Sequence, residues 1–264
     1  MKISQEIILN NSTVILIAVR LKSKRLPKKA LKKIKDKTIL EHLVSRMNLV
    51  KEASDVIVCT STNSEDDPIE DLCKLKSIKY FRGYEDDVIG RFLKSVEDLN
   101  PKNIVRVTGD NCLVSHEFLN DAIIDHNNKN ADYTTTDCLP RGMRGEVISY
   151  HILKKLHQIV VDPNSSEYMT WMIDRPDIFN VNKINVDRKL NRPTYRVTCD
   201  TSEDFELINK VYDNLYEGIP IASFSVTEYL DKNPDIVKIN QNIKQKSKED
   251  VLKFINVDLK DGNQ

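Results

Sequence analysis

The chain has 264 residues, enough to bury a sizeable core in one large domain, and its 40 Lys and Arg balance 40 Asp and Glu to a formal net charge of zero. Without a global field to draw it onto nucleic acid or an anionic membrane, any anion binding has to be local. The five cysteines form no Cys-x-x-Cys pair, the five histidines show no metal-ligand spacing, and no apolar run approaches the roughly 18 residues of a membrane span, so a soluble, cytoplasmic protein with reduced thiols and no zinc is expected.

Residues 13–19 are apolar and β-branched, as a buried strand is, and 56–60 and 104–108 repeat the pattern. Helical patterns separate them. Over 38–50, Ile39, Leu43, Met47 and Val50 fall on one face. Ser64, with Asp67 three residues on, reads as a capping box before the early helical Pro68, and 87–99 reads as a third helix closed by Asn100-Pro101. Strand and helix in alternation predict an α/β fold with a mainly parallel central sheet covered on both faces. After residue 130 the pattern loosens into short helices near 150–158 and 165–174, further strands at 181–186 and 195–198, and a helix over 201–216. The main unit is assigned to 1–217, with 130–187 as its substrate and dimer subregion, and a polar helical tail over 218–264 is assigned to packing on the core.

In parallel sheets ligands sit beyond the carboxyl ends of the strands, which directs attention to 20–29, 60–63 and Gly109-Asp110-Asn111. Nine Lys or Arg and no acid lie between Arg20 and Lys35, so self-repulsion would disorder this loop unless an anion joined it. A polyphosphate is the economical anion, since Arg forks onto phosphate oxygens and Lys serves as a point charge. A solvated basic segment or a nucleic-acid patch is the competing reading, and the position after the first strand weighs against it. Asp110, at the end of a buried strand, is costly unless it meets a cation or a base. Asp200 is read as ending a second strand, and the two carboxylates together suit Mg²⁺, which prefers oxygen ligands and substrate phosphates. Asp200 could equally cap the helix that follows it.

These residues carry a family resemblance. The stretch Arg20-Leu-Lys-Ser23-Lys-Arg25-Leu26-Pro27-Lys-Lys29 resembles the Arg-x-x-Ser-x-Arg-Leu-Pro-x-Lys signature of cytidylyltransferases that activate acidic sugars, the CMP-KDO synthetase and spore-coat polysaccharide group. Blocks at 60–67, 81–91, 105–110, 146–147 and 198–204 resemble further blocks of the spore-coat subgroup in order. The resemblance implies a Rossmann-like, GT-A-like nucleotide-diphospho-sugar transferase fold and a homodimer. It implies CMP transfer from CTP to an anionic sugar with release of pyrophosphate, with neither nucleic acid nor membrane as a partner. By the same implication Arg20, Ser23, Arg25 and Lys29 hold the phosphates, Ala18, Thr60, Ser61 and Gly109 lie beside the nucleotide, and Asp110 and Asp200 bind Mg²⁺. Arg141, Arg144, Glu146, Glu167 and Tyr168 are assigned to the acceptor.

The chain departs from the family pattern at four places. Lys28 stands where a Gly is usual, and Lys24 replaces a small Thr. Arg144 takes the acidic position of Gly-x-Asp-x-Glu, and Tyr168 takes that of a His. The expectation is an acceptor that presents an extra anionic group to Arg144; a surface salt bridge from Arg144 and a core-packed Tyr168 are the alternative. Two rival functions remain. A GT-A glycosyltransferase calls for an Asp-x-Asp after a strand, whereas Asp66-Asp67 and Asp86-Asp87 precede helices and read as caps. A nonenzymatic nucleotide or nucleic-acid module would need only the 20–35 segment.

Overall fold

The computed structural model describes residues 12–23, 25–160 and 162–244, so Lys24 and the last twenty residues of the predicted tail lie outside the described residues. In chain order, β1 (Thr13–Ala18) leads through the basic loop to a hairpin of β2 (Lys33–Ile34) and β3 (Lys37–Thr38), then α1 (Ile39–Met47), β4 (Asp55–Ser61), α2 (Asp67–Leu75) and β5 (Tyr80–Gly83). There follow α3 (Val88–Ser95), β6 (Asn103–Thr108), α4 (His116–Asn128), β7 (Tyr133–Thr135), β8 (Glu146–Ser149), α5 (Tyr150–Ile159) and α6 (Met169–Ile173). The chain continues through β9 (Val181–Lys183), α7 (Ser202–Leu215), α8 (Ser223–Lys232) and α9 (Pro234–Val237).

Seven strands form one sheet in the order β5-β4-β1-β6-β8-β7-β9. β1 pairs in parallel with both β4 and β6, and β8 alone runs antiparallel to its neighbours. The central place of β1 follows from its side chains. Val14 and Leu16 pack on one face with Ile89 and Phe92 of α3 and Leu153 and Leu156 of α5. Ile15 and Ile17 pack on the other with Leu43 and Met47 of α1, Leu119 of α4 and Val211 of α7. A strand buried on both faces has no solvent side, which is why its sequence is continuously apolar. The sheet is therefore mainly parallel and covered on both faces, as the alternation predicts.

Several local expectations change. Residues 195–198 form no strand; they make one isolated bridge, Arg141 to Arg196, through Arg141 N–H to the Tyr195 carbonyl (2.9 Å) and Val197 N–H to the Arg141 carbonyl (2.7 Å). Asp200 therefore ends an extended segment that lies against a loop. The Ser64 capping box is also absent, because a 3-10 turn over Ser64–Asp66 precedes α2 and no side chain caps it. The hairpin strands β2 and β3, the strands β5, β7 and β8, and helix α4 are additions to the sequence reading.

The segment after Tyr216 is docked by a buried arginine. Arg46 of α1 is 1 % exposed and donates to the carbonyls of Val114 (2.8 Å) and Ile221 and to the Ser223 hydroxyl (3.0 Å). Glu117 accepts from Ser223 N–H (2.9 Å) and the Ser223 hydroxyl (2.6 Å), so both charges of this joint are answered. Removing the guanidinium leaves two buried carbonyls without donors, and such a loss is strongly destabilising. Arg46→Met is expected to lower the unfolding free energy by about 3 kcal/mol, read from the urea midpoint at unchanged m-value.

Candidate functional site

At the carboxyl edge of the sheet the loops after β1 and β6 face the turn before α6 across a two-lobed cleft. The first lobe, about 450 Å³, is bounded by Ala18, Arg20, Ser23, Arg25, Lys29, Gly109 and Asp110, among others. The second, about 570 Å³, takes in Arg141, Arg144, Glu146 and Asp200, and shares Arg25, Asp110, Glu167 and Tyr168 with the first. Both volumes suit small-molecule sites.

Where the lobes meet, the Lys29 ammonium binds the Asp110 carboxylate and lies 2.7 Å from Asp200 Oδ1. Arg25 stands 3.4 Å from the same Asp200 oxygen, and Arg196 reaches Asp200 Oδ2 at 3.3 Å. Burial works to raise the Asp200 carboxyl, but Lys29, with Arg25 and Arg196, outweighs it and holds the group at about 2. Burial likewise pulls Lys29 down, yet the charges of Asp110 and Asp200 leave it above its ordinary range. Asp200 does not cap α7; Thr201 does, with its side chain accepting from Asp204 N–H. Asp204, fully buried, accepts two 2.7 Å bonds from Arg196 and thereby fixes the arginine behind Asp200.

The donor set fits a cation. Asp110 Oδ1 is buried and has no hydrogen-bond partner, and its other oxygen and the Asp200 carboxylate already converge on one positive group. Two carboxylates brought this close need a cation between them, and oxygen donors of this kind suit Mg²⁺.

The basic loop is not held together by self-repelling charges awaiting a ligand, as the sequence suggests. Its cations meet acids from distant segments: Arg20 with Glu167 (2.5 Å), Lys22 with Glu85 (3.5 Å), Lys35 with Asp213, and Lys29 with its two aspartates. The backbone is pinned by Asp66, which accepts from Leu21 N–H (2.7 Å) and from the Ser61 hydroxyl (2.5 Å). Asp66 is thus a loop anchor and no helix cap, whereas Asp87 does cap α3 through Gly90 N–H (2.7 Å).

Thr60 and Ser61, at the end of β4, are fully buried and line neither lobe, and the Ser61 hydroxyl donates to Asp66. Gly109 matters through close approach: a Cβ there would lie 2.6 Å from that of Val19, so a side chain would push the basic loop away. Lys28 adopts φ 52°, ψ 31°, the left-handed region, and so keeps the glycine-type turn with a residue that is strained in it. Tyr168 lies in the cleft and stacks on Trp171, and burial, with the Glu167 carboxylate beside it, pushes its hydroxyl up to about 12. Arg144 makes weak ion pairs to Asp137 (3.8 Å) and Glu146 (4.0 Å) while facing the second lobe.

Sequence reasoning missed four side chains of the cleft. Arg91 and Arg106 lie inside the motif blocks at 81–91 and 105–110; Arg91 donates to the carbonyls of Tyr84 (2.9 Å) and Glu85 (3.1 Å), and Arg106 to Glu146 (3.2 Å). Trp171, three residues after Tyr168 on a short helix, was detectable by that spacing. Lys244 carries no sequence signal and comes from the segment assigned to packing.

Residues 14–247 match the cytidylyltransferase family. The chain is similar to an uncharacterised protein of Methanocaldococcus jannaschii, 34% identical over 89% of this chain and 97% of that one. It is also similar to the spore coat polysaccharide biosynthesis protein SpsF of Bacillus subtilis, 31% identical over 85% of this chain and 96% of that one. Among solved structures, a cytidylyltransferase from Leptospira borgpetersenii superposes with a TM-score of 0.80 at 28% identity, covering 90% of this chain and 100% of its own.

Two outcomes follow from the site geometry. Lys28→Gly relieves the left-handed strain and is expected to raise stability by about 1 kcal/mol in urea unfolding. The depressed Asp200 carboxyl contributes stability that is complete above its ordinary value of 3.8 and is lost as pH falls toward about 2, so Asp200→Asn is expected to flatten the pH dependence of the urea midpoint across that window.

Proposed function

The chain belongs to the cytidylyltransferase family, and we propose that it transfers CMP from CTP to a sugar acid or a related anionic sugar, releasing pyrophosphate, for surface polysaccharide or glycan synthesis. The observation that carries this reading is the meeting of Arg20, Arg25 and Lys29 with Asp110 and Asp200 in one cleft at the carboxyl edge of the sheet. The name of the Bacillus subtilis relative supplies the polysaccharide context.

In this reading an oxygen of the acceptor attacks the α-phosphorus in line. The bond from that phosphorus to the bridging oxygen breaks, and the electron pair leaves with pyrophosphate. Charge accumulates on the α-phosphate and the leaving group, so fixed cations lower the barrier without a covalent nucleophile. Arg20 and Arg25 fork onto phosphate oxygens, Ser23 adds a hydroxyl donor, and Lys29 serves as the point charge deepest in the first lobe. Mg²⁺ held by Asp110 and Asp200 would supply further neutralisation of the triphosphate. Arg20 exchanges its Glu167 partner for phosphate when the nucleotide enters. The reading also includes a homodimer through 130–187 and a cytoplasmic location; among the described residues no helix is long and apolar enough to cross a membrane.

The glycosyltransferase alternative lacks its acidic pair, since Asp66 anchors a loop and Asp87 caps a helix. A pyrophosphate-release assay with each nucleoside triphosphate, Mg²⁺ and a panel of sugar acids and sugar phosphates tests the proposal. CTP with an anionic sugar is expected to release pyrophosphate, and Asp110→Asn or Arg25→Ala to slow it by about 100-fold or more. Nucleotide release from a nucleotide sugar would point to the glycosyltransferase instead. Polynucleotide binding with no turnover would point to a binding module.

A further inference from the structure

Asp200 is held from two sides. On the cleft side Lys29 lies 2.7 Å and Arg25 3.4 Å from its Oδ1, and both are cations that the transferase reading turns toward phosphate. On the inner side Arg196 reaches its Oδ2 at 3.3 Å, and this support is built into the fold. Asp204, fully buried on the first turn of α7, accepts at Oδ1 from Arg196 Nε (2.7 Å) and at Oδ2 from Arg196 Nη2 (2.7 Å), Asp200 N–H (3.0 Å) and Thr201 N–H (3.1 Å). One carboxylate thus fixes both the backbone of Asp200 and the guanidinium that lies against its side chain.

The cluster is closed by a residue from the far end of the described chain. Asn240, 2 % exposed, stands in the turn after α9 and spends its Nδ2 hydrogens on the Arg196 carbonyl (3.0 Å) and on Asp204 Oδ1 (2.8 Å), across 44 and 36 residues. Ile236, Val237 and Ile239 pack on the core beside it, so apolar contacts already dock this turn, whereas a buried amide is costly unless its donors are met. Four residues on, Lys244 lines the cleft. We propose that Asn240 is a positioning residue for Asp200: it holds Arg196 by its carbonyl and, through Asp204, by its guanidinium, so that Asp200 keeps its place when Lys29 and Arg25 bind phosphate. The turn after α9 is then part of the machinery of the cleft and not packing alone. The inference rests on the transferase reading for the use made of Asp200, and the hold on the Asp200 segment can be measured without turnover.

The full-length protein and Asn240→Ala are compared by amide hydrogen exchange, and by pyrophosphate release with CTP, Mg²⁺ and the best acceptor among the sugar acids and sugar phosphates of the release assay. Exchange over 197–201 is expected to quicken about tenfold in the variant while that of β1 and β6 is unchanged. The kcat is expected to fall about tenfold with the KM for CTP changed less than about twofold. In an Asp200→Asn background, Asn240→Ala is expected to change kcat by less than about twofold, because a residue that acts through Asp200 has nothing left to act on. Asn240→Ser, which keeps one donor, is expected to fall between Asn240→Ala and the wild-type chain, and it carries the same comparison should the urea midpoint show that Asn240→Ala does not fold. Unaltered exchange over 197–201, an unaltered kcat, or an equal loss of kcat in both backgrounds, the mark of a merely structural residue, overturns the proposal while sparing the transferase reading. No pyrophosphate from the wild-type chain with any triphosphate refutes the transferase, and exchange that quickens only over 197–201 in the variant still supports the hold of Asn240 on the Asp200 segment.

Discussion

One ammonium group between two carboxylates holds the cleft together. Lys29 comes from the loop after β1, Asp110 from the end of β6, and Asp200 from the segment before α7, with sequence separations of 81 and 171 residues. Two carboxylates this near one another in a partly buried place repel and are poorly solvated, so they coexist as anions only with a cation between them. The conformation of the basic loop and the spacing of the two aspartates are therefore one system. The buried Asp204–Arg196 pair stiffens it from behind, and Gly109 lets the loop approach closely enough to complete it.

The overall neutrality of the chain has a local counterpart in this loop. Among the described residues Arg20, Lys22, Arg25, Lys29 and Lys35 of this loop are met by Glu85, Glu167, Asp213 and the two aspartates, all distant in sequence. Most of these partners are partly exposed side chains, and exposed pairs are weak, so they order the loop without locking it. In the proposed function a triphosphate replaces them with stronger, charge-assisted bonds. In the second lobe Arg25 and Arg106 are matched by Asp200 and Glu146, whereas Arg144 meets only distant carboxylates.

Part of this was legible from local pattern. The continuous apolar run of β1 announces a strand buried on both faces and the Ile39-Leu43-Met47 stripe announces α1, because each depends on residues close in sequence. The full burial of Thr60 and Ser61 was not legible, because it depends on Asp66, which bonds both Ser61 and the loop at Leu21. The supposed strand at 195–198 failed for a related reason: β propensity was present, but the neighbour the path of the chain provided was the loop at Arg141.

The sequence by itself determined the α/β class, the position of the basic loop at the carboxyl edge, and the chemistry of the side chains offered there, since composition and short-range periodicity set all three. Only the tertiary structure decided which acids answer the loop, that Lys28 turns left-handed, that Arg46 docks the segment after α7, and that Trp171 and Lys244 share a lobe with Arg141 and Arg144. Those facts are contacts between residues tens to hundreds of positions apart, and the register that creates them comes from packing the whole sheet and its helices together.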